Sequence, residues 1–456
     1  MGTRRTIAVV GSGISGLSAA WLLAQCHNVT LIEADRRLGG HSNTVDAPGT
    51  QGPIAVDTGF IVYNTASYPN LIALFDHLGL PTAPASMSFA VSLDAGAYEY
   101  AGSGLTSLFG QPSNILRPSH WRMIADTLRF FREARDQDLA GADGGLTLGQ
   151  YLERGGYSEA FTARHILPMA AAIWSTPSRA VLDFPVAAFV RFFANHGLLQ
   201  VKDRPEWRTV IGGSREYLRR LLAAFDGRVL LDEPAIRIAH MGGGVTVTTT
   251  EGQRRFDACV IATHADDALA LLGEPDSDQR DLLGAFRYAR NRAVLHSDAL
   301  LMPRRRRLWS SWNYLESGRG IAADLSVTYW MNNLQPLGEA SGDLFVTLNP
   351  SRDIAETKIV ASFDYAHPIF DAAAMRAQRQ LWRLQGRRGI WFCGSYFGYG
   401  FHEDGLQSGL AAAEDLGGVR RPWSVQNESG RIHLAPVGSR PPVGARPTAD
   451  LQGAAE

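Results

Sequence analysis

Lysine is almost missing from this 456-residue chain: Lys202 and Lys358 are the only two, and every other basic side chain of this kind is an arginine. Chemistry that needs a lysine has two positions to draw on. Cysteine is scarce as well. Cys26, Cys259 and Cys393 are odd in number and widely spaced, which argues against a disulfide framework and for a reducing compartment. No uninterrupted apolar run reaches the ~18 residues that a membrane-spanning helix needs. An excess of one charge is also missing: the formal net charge is −1, so no global field draws in nucleic acid or anionic lipid. Histidine and cysteine spacings match no metal site, and none is expected. What is present is ordinary for a globular protein, 45% hydrophobic and 20% charged, in a chain long enough for two or more domains.

The N-terminus organises the rest. Ile7 to Val10 is a short apolar run of strand type, and Leu17 to Ala24 has helical composition with no breaker. Between them Gly11-Ser12-Gly13-Ile14-Ser15-Gly16 carries the spacing G-x-G-x-x-G. At a strand-to-helix turn, Gly11 permits the tight turn, Gly13 lets a pyrophosphate approach the backbone, and Gly16 lets helix pack on strand. The helix N-terminus then offers N–H groups to phosphates. A second apolar run, Val29 to Ile32, ends at Glu33-Ala34, and Glu33 follows Gly11 by 22 positions. That matches the acid expected about 20 residues on, which takes the ribose hydroxyls. A carboxylate there suits FAD or NAD and argues against a 2′-phosphate. The competing reading is an export signal made of Arg4-Arg5, an apolar stretch and Cys26. A signal core has no use for three glycines in this register, and Gln25 before Cys26 fits a lipoprotein cleavage site poorly. Only one complete fingerprint exists. A chain passing electrons from NADPH to FAD usually needs two dinucleotide sites, so FAD is expected to be the only dinucleotide held permanently.

Further along, Arg36-Arg37-Leu38-Gly39-Gly40-His41 reads as a second backbone-exposing loop, with Arg37 over the dinucleotide; alone it would read as a surface turn. Ile54 to Tyr63 is a strand-like run broken by Asp57-Thr58-Gly59. The middle, Pro69 to Arg204, has long helical stretches, a glycine-rich turn at Gly141 to Gly145, Pro168, and Phe184, Phe189, Phe192 and Phe193. These phenylalanines either wall a lipid-sized pocket or fill a helical core. Arg304, Arg305, Arg306 and Arg307 lie between Leu, Met and Trp residues and read as a contact for anionic headgroups or as a solvated loop. After Gly417 the composition predicts a mostly disordered tail.

These motifs together resemble the FAD domain of the flavin amine oxidase, phytoene desaturase and protoporphyrinogen oxidase superfamily. Thr209-Val-Ile-Gly-Gly-Ser-Arg-Glu-Tyr-Leu218 resembles its Gly-Gly-x-x-x-L segment. Val229 to Thr248, with Ile236, resembles the strands that hold the adenine end, and Phe256 to His264, with Thr263, the apolar strand ending in Ala-Thr. Ile390 to Leu410, with Gly394, Ser395, Asp404, Gly405 and Leu406, resembles the C-terminal flavin segment. Within the superfamily the likeness is to a bacterial branch of predicted NAD/FAD-binding, amine-oxidase-like proteins. It is carried by Val56-Asp-Thr-Gly-Phe-Ile-Val-Tyr-Asn64, Trp309-Ser-Ser-Trp-Asn-Tyr314 and Phe401-His-Glu-Asp-Gly-Leu-Gln407, and runs from about Thr6 to about Leu416. Two positions depart from the superfamily: His41 replaces a second Arg, and Ser395 replaces an acid that grips the flavin ribitol.

The expected fold is α/β, a Rossmann-type FAD-binding domain with a discontinuous α+β substrate-binding domain. Residues 1–70, 205–285 and 386–418 build the first; 71–204, mainly helical, and 286–385, mainly sheet, build the second; 419–456 is the tail. The resemblance implies an FAD-dependent oxidoreductase. Its amine oxidases place a lysine near the flavin N5, and neither lysine here matches that position. The expectation is therefore hydride removal from a C–H bond of an apolar, acyl-lipid or isoprenoid-like substrate. A flavin amine oxidase is the alternative, and a non-catalytic flavin scaffold or redox partner is a second. Tyr396, Phe397, Tyr399 and Phe401 are expected to form an aromatic lid or wall, with Tyr396 and Tyr399 as a cage for an amine. His402, His41 and Glu403 are candidate proton handlers, each equally readable as a cap or a satisfied buried group. Asp404 is either the start of a helix aimed at the flavin or its ordinary cap. Cys393 lies close enough to the flavin segment for a thioether link. The electron acceptor, O2 or a redox carrier, stays open. The expected location is cytoplasmic, with peripheral placement at the inner membrane face as the alternative.

Overall fold

The structure, a computed structural model, describes residues 4–136, 146–174, 181–195, 197–200, 204–317 and 324–434. The turn at Gly141 to Gly145, Lys202 and residues 435–456 lie outside the described residues.

Ile7, Ala8 and Val9 are fully buried because the strand Thr6–Val10 is the middle of a five-stranded sheet. The order is Arg228–Leu230, Asn28–Ile32, Thr6–Val10, Ala258–Ile261, Ile390–Phe392, and all neighbours are parallel. A parallel sheet covered on both faces needs continuous apolar strands, which these are. The strands come from three stretches separated in sequence: Thr6–Val10 with Asn28–Ile32, Arg228–Leu230 with Ala258–Ile261, and Ile390–Phe392. The helix Ile14–Ala24 is buried along its whole length. The C-terminal helix His402–Leu416 packs across it, and the close approach is made by two glycines. A β-carbon on Gly409 would lie 2.2 Å from Ser15 O, and one on Gly405 2.9 Å from Ile14 Cγ2.

A second sheet has seven strands, in the order Ile359–Ile369, Arg287–His296, Phe345–Leu348, Asp324–Trp330, Trp312–Ser317, Phe89–Leu93, Tyr98–Ala101. Its last two strands come from the segment 71–204, which carries strands beside its helices. Phe89–Leu93 runs parallel to Trp312–Ser317, with Phe89 opposite Trp312. Thr82–Ala85 pairs with Trp207–Val210. The helical layer therefore begins after residue 101. It includes Pro118–Asp136, Leu148–Arg154, Leu167–Trp174 and Val186–Asn195. Pro168 is accommodated at the start of its helix, directly after a π-helical turn at Thr162–Ile166. Phe184, Phe189, Phe192 and Phe193 are all buried with Phe130 and Phe161, so they fill a helical core.

The chain beyond Gly417 also differs from expectation, as far as it is described. Arg421 is buried, with its guanidinium on both Glu414 oxygens (2.8 and 2.9 Å) and on Asn70 Oδ1 (2.9 Å). Ile432 is buried in the core of the first sheet. Composition cannot register that these few anchors, and not an apolar run, hold the segment.

Candidate functional site

The fingerprint forms a cradle. Gly11 has φ +99°, and a β-carbon there would lie 2.8 Å from Ala262 O; one on Gly16 would lie 1.9 Å from Gly11 O. Those two glycines are required by the protein's own packing. Gly13 differs: nothing lies within 4 Å of its β-position, so its open side faces whatever the loop holds. Gly13 begins the helix with no side-chain cap, which leaves first-turn N–H groups for a ligand. Ser12 N donates to a Glu33 carboxylate oxygen (2.8 Å), and Asp35 N to the other (2.9 Å). The second loop lies against the first, with Gly39 N donating to Ser12 O (3.1 Å) and a Gly40 β-position 3.2 Å from Gly13 Cα. Arg37 folds back on that loop, donating to Gly40 O (2.8 Å). The segment at Asp232–Glu233 bonds back to Glu33 and Asp35, and the following Ile236 is 57% exposed. Ala34 is exposed beside it.

The flavin end is built by residues far apart in sequence. A Gly59 β-carbon would lie 2.1 Å from His41 O, so this glycine lets two loops touch. The Thr58 hydroxyl is buried on Tyr365 OH (2.9 Å) and Asn43 O (3.1 Å). Asp57 is buried, accepting from Ser214 N (2.9 Å), Thr44 Oγ1 (2.6 Å) and Gln335 Nε2 (2.9 Å). Burial raises its carboxyl to about 6 against those hydrogen bonds. The Gly212-Gly213-Ser214 segment thus docks onto Asp57. Gly394 N donates to Ser408 Oγ (3.0 Å), and the Ser395 N lies 3.8 Å from a Gly405 β-position. Thr263 follows Ala262 at the Gly11 contact. Leu406 is fully buried in the core under the first sheet.

The structure brings His402 and His41 to the cradle's rim but gives them different surroundings. His402 stacks on Phe60 (3.8 Å between centroids) and its Nε2 bonds Ser42 Oγ (2.8 Å) and Tyr217 OH (3.1 Å). Burial pulls its imidazole down to about 3, so it is neutral. The His41 ring lies 5.0 Å from Tyr365, 5.4 Å from His367 and 6.1 Å from His264. Burial first, then the neighbouring histidines, hold it well below the usual imidazole value, and its buried Nε2 has no hydrogen-bond partner among the described residues. His367 is likewise drawn down to about 4 by burial and His264.

Tyr396 and Tyr399 are not brought together as a cage. Tyr396 and Phe397 lie in the core against Phe286 and Trp382, on the other side of the chain from Tyr399 and Phe401, which rest on the helical layer. The Tyr396 hydroxyl is buried and has no hydrogen-bond partner among the described residues. Phe401 stacks on Phe192 at 4.9 Å. Asp404 accepts from Phe401 N (2.8 Å), as a cap does, and also pairs with Arg431 Nε (2.6 Å). Glu403 accepts from Asn70 Nδ2, Leu71 N and Gln407 Nε2 (2.9, 2.9 and 2.8 Å). Burial raises both carboxyls. Cys393 is buried, and burial pushes its thiol up to about 12. Sequence reasoning missed His264, Tyr365, His367 and Arg431. His264 ends the apolar strand motif, which was read for Thr263 alone; the other three lie outside any motif, so no local pattern could have selected them. Among the described residues His264, Asp266 and Asp267 group closely, with both acids exposed in the first turn of a short helix, where acids are favoured without an ion.

The residues present fit FAD. The open β-position of Gly13, the uncapped helix start and the acid at the end of the second strand are the groups a dinucleotide's pyrophosphate and ribose require. Comparison with known proteins agrees. The family model for flavin containing amine oxidoreductases matches residues 14–340. A Mycobacterium tuberculosis protein provisionally named as the flavin-containing monoamine oxidase AofH is 28% identical over 284 residues, covering 59% of each chain. The chain thus spans about three fifths of the length of that curated relative. Two solved structures share the fold over 91% of this chain and 99% of theirs. One, provisionally named protoporphyrinogen oxidase, from Exiguobacterium sp. 255-15, has a TM-score of 0.65 at 14% identity. The other, a conjugated-linoleic-acid-producing fatty acid isomerase from P. acnes, has 0.63 at 16%. At such identities these two likenesses concern the fold alone.

Proposed function

Because this chain belongs to the flavin containing amine oxidoreductase family, we propose that it is an FAD-dependent oxidoreductase acting on a C–H bond of an apolar substrate, of the acyl-lipid or isoprenoid class. When bound, FAD supplies the acceptor for a hydride from that bond. The chain's residues do the rest. The glycine cradle and Glu33 hold the dinucleotide. The start of the C-terminal helix, His402–Leu416, would offer its partial positive charge to a bound flavin as charge gathers on reduction. Phe401 and Tyr399, set on the aromatic helical core, would help to exclude water.

One observation carries the choice of substrate. Every buried carboxylate described around the site is already committed: Asp57 to Ser214, Thr44 and Gln335, Glu403 to Asn70, Leu71 and Gln407, Asp404 to Arg431. An ammonium placed there would lose its hydration without gaining a partner. The imidazoles at the rim are held neutral, which also suits an uncharged substrate. An amine is the second reading, favoured by the name of the M. tuberculosis relative. The electron acceptor is O2 or a redox carrier. Comparing lipid extracts of cells with and without the protein tests the proposal. Expected is a lipid two hydrogens lighter that depends on the protein; identical lipid profiles, with an amine consumed instead, would support the second reading.

A further inference from the structure

Five large apolar side chains of one region face solvent. Leu105, Ile115, Leu116, Trp121 and Leu128 are all more than half exposed. They are joined. The Trp121 indole N–H donates to Ile115 O (2.9 Å), its ring lies 4.9 Å from Phe109, and Phe109 N donates to Leu105 O. Leu128 continues the stripe two turns along the helix Pro118–Asp136, on the face of Trp121 and the exposed Ala125. Single exposed apolar residues are ordinary, but a continuous platform marks an interaction site.

Its rim is cationic. Arg122 and Arg132 are exposed on the same helix. Arg122 reaches Asp126 at 3.5 Å. Beside the platform lies a cleft of about 360 Å³ lined by Tyr98, Arg117, Ser119 and Arg164, with Asp94 as its one acid. The Arg117 and Arg164 guanidiniums sit 5.4 and 4.7 Å from the Tyr98 ring centre. Arg164 donates to Ser119 Oγ (2.9 Å) and Arg117 to Ala97 O (3.1 Å). Among the described residues neither guanidinium has a carboxylate within ion-pair distance, whereas Arg305 is held by buried Glu99 and Arg306 by Asp343. The inner face of the same helix carries Phe130, packed on Phe161 and Phe189 in the core that reaches Phe192 and Phe401.

We propose that this face docks the protein on an anionic phospholipid bilayer. The apolar platform enters the interface, and the Arg117–Ser119–Arg164 cleft takes the phosphate of a lipid headgroup. Leucine and tryptophan supply apolar area at headgroup depth, and guanidiniums supply charge-assisted bonds to phosphate. Charge complementarity selects this occupant over a second copy of the chain. A two-fold contact would set the cationic rim against itself. The inference depends on no statement about flavin or substrate.

The test is co-flotation of the full-length flavin-loaded protein with phosphatidylcholine vesicles, with and without phosphatidylglycerol. Binding is expected with phosphatidylglycerol and weak without it. Leu116→Glu together with Trp121→Glu is expected to lower binding at least tenfold even at low salt. Arg117→Gln with Arg164→Gln is expected to cost about tenfold on anionic vesicles. An unchanged flavin spectrum shows that the variants are folded. As a check that needs no disruptive change, brominated lipids should quench the wild-type tryptophan fluorescence, and Trp121→Phe should remove most of that quenching. Failure of the wild type to float with anionic vesicles, flotation indifferent to these substitutions, or a Leu116→Glu variant that instead splits a dimer would overturn the proposal.

Discussion

Gly409 is where the C-terminal helix meets the fingerprint helix most tightly, and Gly409→Ala separates two forces of opposite sign. Helix propensity favours alanine over glycine by about 1 kcal/mol. Packing opposes it, because the new β-carbon would lie 2.2 Å from Ser15 O and 2.5 Å from Ser18 Oγ. Relaxed contacts of this kind lie near ~3.5 Å, so the helices must part by on the order of 1 Å. Ser15 O is backbone of a fully buried helix and cannot swing away; the Ser18 hydroxyl can turn only by giving up its hydrogen bond to Ser15 O (3.0 Å). Overpacking of this kind costs roughly 1–3 kcal/mol, so packing wins by about 1 kcal/mol. Both helices begin at the cradle, so the displacement moves the groups that hold the dinucleotide. FAD affinity, titrated on apoprotein, is expected to fall about tenfold, and flavin release on heating to come earlier. Gly405→Ala is the control. Its β-carbon meets a side-chain methyl, Ile14 Cγ2, at 2.9 Å and no backbone atom closer than 3.8 Å, and a milder effect is expected. A Gly409→Ala protein that binds FAD like the wild type, or releases it at a higher temperature, would refute the argument.

Removing the Arg431 partner of buried Asp404 by Arg431→Met should destabilise the folded protein by about 3–5 kcal/mol, read in urea unfolding; a loss below about 1 kcal/mol would mean the carboxyl is satisfied without it. The Asp57 carboxyl is raised to about 6 in the folded state, above its unfolded value near ~3.9. The stability it contributes is therefore complete below pH ~4 and lost as pH rises through about 6. The stability difference between wild type and Asp57→Asn should accordingly favour the wild type most at acid pH, and a pH-independent difference would contradict the shift. Acid precipitation should release all flavin as FAD, since the Cys393 thiol is buried and kept protonated; yellow colour left in the precipitate would show a thioether link.

The parts of the site readable in the sequence are those made by neighbours along the chain. Gly11, Gly13, Gly16 and Glu33 occupy one strand–turn–helix–strand unit, so their spacing alone reports their geometry. Gly405 and Gly409 sit in one helix, and the glycine-rich opening of that segment was visible. Long-range placement was not. Tyr365 and His367 reach the rim on the edge strand of the seven-stranded sheet, more than 300 residues after His41, and a strand's alternation says which face a residue takes but not what stands opposite. Phe89–Leu93 is a short strand whose parallel partner lies over 200 residues away. Tyr396 and Tyr399 are three residues apart yet belong to different cores, because the short helix Ser395–Phe397 ends at Gly398 (φ −128°, ψ −136°) and the chain changes direction there.

The central claim is that a flavin held in this cradle takes a hydride from an apolar C–H bond. Its most direct test is the absorbance of the flavin-loaded protein, followed without oxygen while unsaturated acyl lipids, polyenes and simple amines are added in turn. The account predicts loss of the flavin absorbance with a member of the lipid or polyene set, and no change with the amines. Fast bleaching by amines with every lipid inert would contradict it.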